Sequence, residues 1–154
     1  VDALDTASEI PLARIGATLC EVGHRAILFG GVSQAGAYLN DVYMLEWDLE
    51  SAVSIGRERR QLAKAFVSFF SYCVSLTIGA TASARADHTC VASHDGTLVV
   101  FGGRDATRRF NSVHVLDPSS RTWRTPSCGG AAPKPRSMHA ACSAAGGHQM
   151  IVSG

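Results

Sequence analysis

A chain of 154 residues, 46% hydrophobic and 18% charged, has the make-up of one globular domain and excludes a disordered or fibrous segment. Its formal net charge of +1 removes any electrostatic case for nucleic acid or an anionic membrane surface as partner. Five cysteines, an odd number without a Cys-x-x-Cys pair, indicate neither a disulfide framework nor a zinc ribbon, so a reducing compartment, cytoplasm or nucleus, is the expected setting.

Residues 1–11 carry Asp2, Asp5 and Glu9 and have no apolar core of a secretory signal. They read as a linker or as the outer edge of a preceding repeat. The missing initiator Met and the stop in mid-repeat at Gly154 suggest a piece of a longer protein. Residues 14–45 form the first recognisable unit. Arg14-Ile15-Gly16-Ala17 leads to the apolar run Ala26-Ile27-Leu28-Phe29, which stops at Gly30-Gly31; Asn40-Asp41-Val42-Tyr43 follows a Gly-containing loop over 32–39. The pattern then calls for a tryptophan near Ala52 and a Pro-Arg-His lead-in, and neither comes.

Residues 53–83 are anomalous. A basic cluster (Arg57, Arg59, Arg60, Lys64) precedes a stretch, 65–84, without a single charge. Leu62, Phe66, Phe69 and Cys73 recur at helical spacing, which predicts an amphipathic helix inserted between repeats. Twenty uncharged residues also reach the minimum for a membrane span, although seven Ser, Thr and Gly make a poor hydrocarbon face. The third reading is a translated, unspliced intron, which accounts for the lost tryptophan and the surplus length and is slightly preferred over the helix. None of the three makes the segment a functional site.

From Arg85 onward the pattern is regular. A strand-like run over 88–93 meets a turn at Asp95-Gly96, a second run Leu98-Val99-Val100-Phe101 stops at Gly102-Gly103, and short runs over 113–116 and 122–124 follow. Four short strands with tight turns predict one antiparallel sheet. The second run is apolar at every position, so both its faces need cover, which one small sheet cannot give itself. Pro135-Arg136-Ser137-Met138-His139 then leads to Met150-Ile151-Val152-Ser153-Gly154, a third start. Arg85 and Arg136 are each followed at the third position by His88 and His139; after Arg14 that slot holds Ala17. Phe101 and the matching Ser153 stand 52 residues apart, whereas Phe29 and Phe101 stand 72 apart. The chain thus divides into 1–52, 53–84 and 85–154.

The apolar run into Phe-Gly-Gly, the later Asn-Asp-Val-Tyr, the spaced Trp and the Pro-x-Arg-x-x-His lead-in resemble kelch repeats, whose period is about 50 residues. The resemblance implies an all-β fold: a partial kelch β-propeller of about two four-stranded blades plus the start of a third, with an anomalous insert. It also assigns repeat-structural roles. Phe29 and Phe101 end the inner runs, and Gly30-Gly31 and Gly102-Gly103 let backbones approach closely. Trp123 fills the space between blades; Arg14, Arg85 and Arg136 pair backbone or acidic groups between blades; His88 and His139 take the recurring histidine slot. Two blades and a start cannot close a ring of 4 to 8, so missing blades of the same parent chain are expected partners. The motif order, including Val115-Leu116-Asp117 and Pro133-x-Pro135-Arg136, further resembles the propeller of the Zeitlupe-type F-box proteins of plants. That resemblance implies recruitment of proteins for ubiquitination; the light-sensing and F-box modules of that family do not occur in this chain, and Ala17 departs from its pattern.

No catalytic residue, metal or cofactor is expected. His88, Cys90 and His94 share one face of a strand and could hold zinc in principle, but the recurrence of His88 as His139 favours a structural role. Tyr38, Tyr43 and Tyr72 show no arrangement for the Tyr–Cys radical site of kelch-like copper oxidases, and no nucleophile triad or phosphate loop stands out. The loop Arg104-Asp105-Ala106-Thr107-Arg108-Arg109-Phe110 places three arginines beside an aromatic, the composition of interface hot spots. Arg104, Asp105, Arg108, Arg109 and Phe110 are therefore the candidate contact for a protein partner, against the plainer reading of a solvated loop. The expectation is a protein-interaction module, with substrate recruitment for a ubiquitin ligase as its narrower form. The alternative is the accessory kelch domain of an enzyme such as a kelch-bearing phosphatase.

Overall fold

The computed structural model describes residues 11–47, 70–75 and 82–154. Over these the chain is all-β, and successive strands build successive sheets. The first blade contains β2 (Thr18–Val22), β3 (Arg25–Phe29), β5 (Val42–Trp47) and β6 (Phe70–Ser75), antiparallel in the order β2-β3-β5-β6. A short ladder of β1 (Arg14–Ile15) with β4 (Val32–Ser33) flanks it. In the second blade, β7 (Thr89–Ala92), β8 (Leu98–Phe101), β9 (Val113–Asp117) and β10 (Thr122–Arg124) lie in chain order. A third blade begins with β11 (Ala140–Ala144) and β12 (Gln149–Ser153), joined through a 3-10 turn at Ala145–Gly147. The Asp95-Gly96 turn closes as its residue types require. Asp95 Oδ1 accepts the Thr97 N–H at 3.0 Å and its hydroxyl at 2.7 Å, and Gly96 takes a φ of +78°.

One expectation needs correction. The helical reading of Leu62, Phe66, Phe69 and Cys73 puts Cys73 on a helix, but Cys73 lies on β6, paired with Leu45 of β5. The run Phe-Ser-Tyr-Cys-Val-Ser alternates and is rich in β-forming residues, and an unpaired β5 edge offers it a full ladder of hydrogen bonds. Leu62, Phe66 and Phe69 lie outside the described residues. By register, Val42 corresponds to Val113 and Leu45 to Leu116, so Cys73 holds the position that Trp123 holds in the second blade. The stretch 48–69 falls between β5 and β6, where the second blade needs only the four residues between β9 and β10.

The core lies between the first two blades. Ile27, Phe29, Val42 and Met44 from one side meet Leu98, Val100 and Leu116 from the other, with Ala82 beside them. Their alternation along β3, β5 and β8 follows the two-residue period of a strand. Burying each of these large side chains is worth about 1.5–3 kcal/mol. Trp123 reaches across from β10, its ring 5.0 Å from that of Phe29. On the opposite face of β8, Phe101 packs edge-on against His139 at 5.4 Å. The fully apolar run is thus covered from both sides, by the first blade and by the third.

Candidate functional site

The repeat's marker residues meet at the junctions between blades, and the two junctions are built alike. At the first, Arg85 gives its N–H to the Leu39 carbonyl (3.0 Å) while its own carbonyl accepts the Gly31 N–H (2.9 Å); at the second, Arg136 does the same with Phe110 (3.0 Å) and Gly103 (2.8 Å). This close backbone approach explains the glycine doublets. Gly30 and Gly102 both sit at φ +65°, and a Cβ would stand 2.6 Å from the Arg85 carbonyl at Gly30 and 2.8 Å from that of Arg136 at Gly102.

Each repeat arginine then ties its own blade. Arg14, Arg85 and Arg136 all turn Nε back to the carbonyl two residues earlier and donate Nη1 to the first glycine of their blade's stop, Gly30, Gly102 or Gly154. Arg14 adds a two-pronged ion pair with Asp41. Arg85 is 1% exposed and reaches Ser83, Ser112 and His114 besides. Burial, and after it the charge of Arg108, push its guanidinium down to about 10, so it stays charged at neutral pH. These neutral acceptors and the Phe110 ring, 4.5 Å away, surround that charge.

The histidines reach backward across each junction. His88 Nε2 meets the Thr18 hydroxyl at 2.8 Å and His139 Nε2 meets that of Thr89 at 2.8 Å, each ring lying edge-on to the Phe of the preceding blade. Their Nδ1 atoms are buried without a partner. Burial and the neighbouring Arg85 depress His88 to about 3, and burial lowers His139. Both are neutral at pH 7. His94, weighed from the sequence as a third ligand beside His88 and Cys90, stacks instead on His148 with ring centres 3.9 Å apart. Among the described residues no three His, Cys, Asp or Glu side chains are grouped to hold a metal ion, and no helix is long and apolar enough to cross a membrane.

The loop 104–110 is a built feature. Asp105 Oδ1 accepts the Thr107 N–H and hydroxyl and the Arg108 N–H at 2.7–2.8 Å, and these bonds hold its carboxyl below the usual range. Arg104 pairs through Nε with Asp87 (2.6 Å) and through Nη1 with the Tyr38 hydroxyl (3.0 Å), bridging to the loop of the first blade. Arg109 reaches Ser137 at 3.2 Å. Phe110 differs from the sequence expectation: it is 8% exposed, clasped between Arg85 and Arg108, whose guanidinium lies 5.2 Å from the ring. The loop therefore presents Arg108 and Arg109 to solvent on a buried aromatic base. The sequence alone does not place Tyr38 on this rim, because its contact depends on a residue 66 positions away.

Known proteins are similar to this chain over most of its length. The chain is 28% identical over 151 residues to acyl-CoA-binding domain-containing protein 4 of Arabidopsis thaliana, covering 98% of this chain and 20% of that protein. It is 30% identical over 157 residues to host cell factor 1 of Homo sapiens (94% of this chain, 7% of that protein) and 34% identical over 144 residues to dynein regulatory complex subunit 7 of Chlamydomonas reinhardtii (92% and 10%). It thus spans a fifth or less of each of these relatives. With the sequence profile of the KLHDC2/KLHL20/DRC7 kelch-repeats domain matching residues 1–154 throughout, and with arginine, histidine and glycine doublet repeated at successive blades, the chain belongs to that kelch-repeat family.

Proposed function

We propose that this part of the protein is a recognition module that captures a protein partner on the rim formed by Arg104, Asp105, Arg108 and Arg109, with Phe110 as the buried support beneath them. The observation that carries this reading is the combination of order and exposure. The loop is fixed by Asp105 and Phe110, yet the Arg108 side chain is 72% exposed. A pre-ordered arginine loses little freedom on binding, which is what a contact residue needs. The name of one relative, the Rab9 effector protein with kelch motifs of Rattus norvegicus (40% identical over 58 residues, 38% of this chain), is in keeping with a partner-binding role. Further blades of the same parent chain are proposed to cover the outer faces of the first and third blades.

The narrower form of the proposal follows the Zeitlupe-type motif order: recruitment of substrates for a ubiquitin ligase, in the cytoplasm or nucleus. The alternative, an accessory domain beside an enzyme such as a phosphatase, draws support from relatives in which the matching stretch is a small share of the whole. The neighbouring coding sequence separates them, since an F-box supports the first and a phosphatase domain the second. For the rim itself, reversing both charges (Arg108→Glu with Arg109→Glu) in the full-length protein is expected to cut partner recovery in a pull-down by about tenfold, the effect of losing roughly 1.4 kcal/mol. Unchanged recovery with unchanged thermal unfolding would refute the assignment.

A further inference from the structure

Strands β2 and β7 lie side by side across the first junction. His88 stands on Thr18 at one end of this contact, and two residues further along each chain come Cys20 and Cys90. The Cys20 thiol donates to the Cys90 carbonyl at 3.4 Å, both cysteines are free and half-buried, and both pack on the rim of the core. The spacing from the repeat arginine explains how they meet. Cys20 falls six residues after Arg14 and Cys90 five after Arg85, so the strand's alternation turns them to opposite faces of their own blades and hence toward one another. At the second junction the equivalent steps from Thr89 and His139 lead to Val91 and Ala141, which carry no thiol. A small apolar residue fills the place there, so packing alone does not call for two facing cysteines.

We propose that Cys20 and Cys90 are a thiol modification site, closed to an inter-blade disulfide by a peroxide oxidant. The Cys20 thiolate attacks one peroxide oxygen; the O–O bond breaks and the departing hydroxide takes up a proton as water. Cys20 is left as a sulfenic acid. The Cys90 sulfur then attacks the Cys20 sulfur, forming the S–S bond, and the sulfenic oxygen leaves with the Cys90 proton as a second water. Each sulfur gives up one electron and the peroxide accepts two. The division of labour matches the surroundings: the side-chain contact with Cys90 lowers the Cys20 thiol, while the same contact and burial raise Cys90, leaving it the resolving thiol. The bond would tie the first blade to the second between residues 70 positions apart, a long loop whose closure restrains the unfolded chain. This inference is independent of the recognition proposal.

The test uses the full 154-residue chain, treated with hydrogen peroxide, blocked with N-ethylmaleimide and mapped as peptides by mass spectrometry. The expected product is one peptide pair joined through Cys20 and Cys90, with an upward shift of the unfolding midpoint that dithiothreitol reverses. In Cys90→Ser, Cys20 is expected to be captured by dimedone as a sulfenic acid, with no such shift. Finding Cys20 and Cys90 still both blocked by maleimide after exposed Cys128 and Cys142 are oxidised would overturn the proposal. So would Cys20 bonded to any cysteine other than Cys90.

Discussion

A guanidinium can hold several acceptors in one plane, and an ammonium cannot. Arg85 uses that difference, serving the carbonyls of Ser83 and Gly102 and the side chains of Ser83, Ser112 and His114 at once. Arg85→Lys is accordingly expected to destabilise the chain by about 3 kcal/mol or more, because buried acceptors lose their donors; the urea midpoint reads it. Among the glycines, Gly102→Ala meets both a left-handed backbone and the Arg136 carbonyl, whereas Gly23→Ala meets only the backbone, with φ +62° and nothing within 4 Å. The expected losses are about 3 kcal/mol and about 1 kcal/mol respectively. Equal losses in thermal unfolding would show that the inter-blade approach at Gly102 does not constrain the fold. His88 makes a pH prediction with a definite sign. The unfolded chain binds a proton near pH 6.5, the folded one only near 3, so stability is fully present above 6.5 and declines as pH falls toward 3. The slope from this group is up to about 1.4 kcal/mol per pH unit. His114 and His139, also lowered by burial, act in the same direction. His88→Gln is expected to flatten the midpoint-against-pH curve.

At the scale of elements, the second blade was legible almost strand by strand, because its turns are short and marked by Asp95-Gly96 and Gly102-Gly103. The first blade was legible only up to β5. Its fourth strand is separated from the third by residues 48–69 and lacks the tryptophan that marks the position in the second blade, where Trp123 pairs with Leu116. A local pattern cannot identify a strand whose partner is chosen by an open edge 20 or more residues away. The same strands yield a prediction. Trp123→Ala removes a ring lying on Phe29 and is expected to cost roughly 2–4 kcal/mol. Phe101, whose ring lies on His139 across the other junction, should be unaffected in its own contact. Loss of the tryptophan should therefore loosen the first junction in hydrogen exchange while leaving the Gly103–Arg136 bond protected. Equal loss of protection at both junctions would contradict the separation of the two interfaces.

For the molecule as a whole, the described blades lean on one another in a row. Leu19 on the first blade is 61% exposed and Ile151 on the third 53%, each on a strand of an outer blade. Apolar side chains on sheets of this kind associate when nothing covers them. This 154-residue stretch on its own is expected to self-associate, and Leu19→Lys with Ile151→Lys to restore a monomer in sedimentation; a wild-type monomer at every concentration would count against it. The amino-acid sequence by itself determined the repeat, the strand order of the second blade and the sheet class. These rest on periodicity and on glycine and turn residues, whose effects act over a few neighbours. Only the tertiary structure decided which strand completes the first blade, that Phe110 is buried under Arg108, that Tyr38 belongs to the arginine rim, and that Cys20 faces Cys90. Each of those joins residues far apart in the chain through space, where packing and the saturation of backbone hydrogen bonds choose the partner.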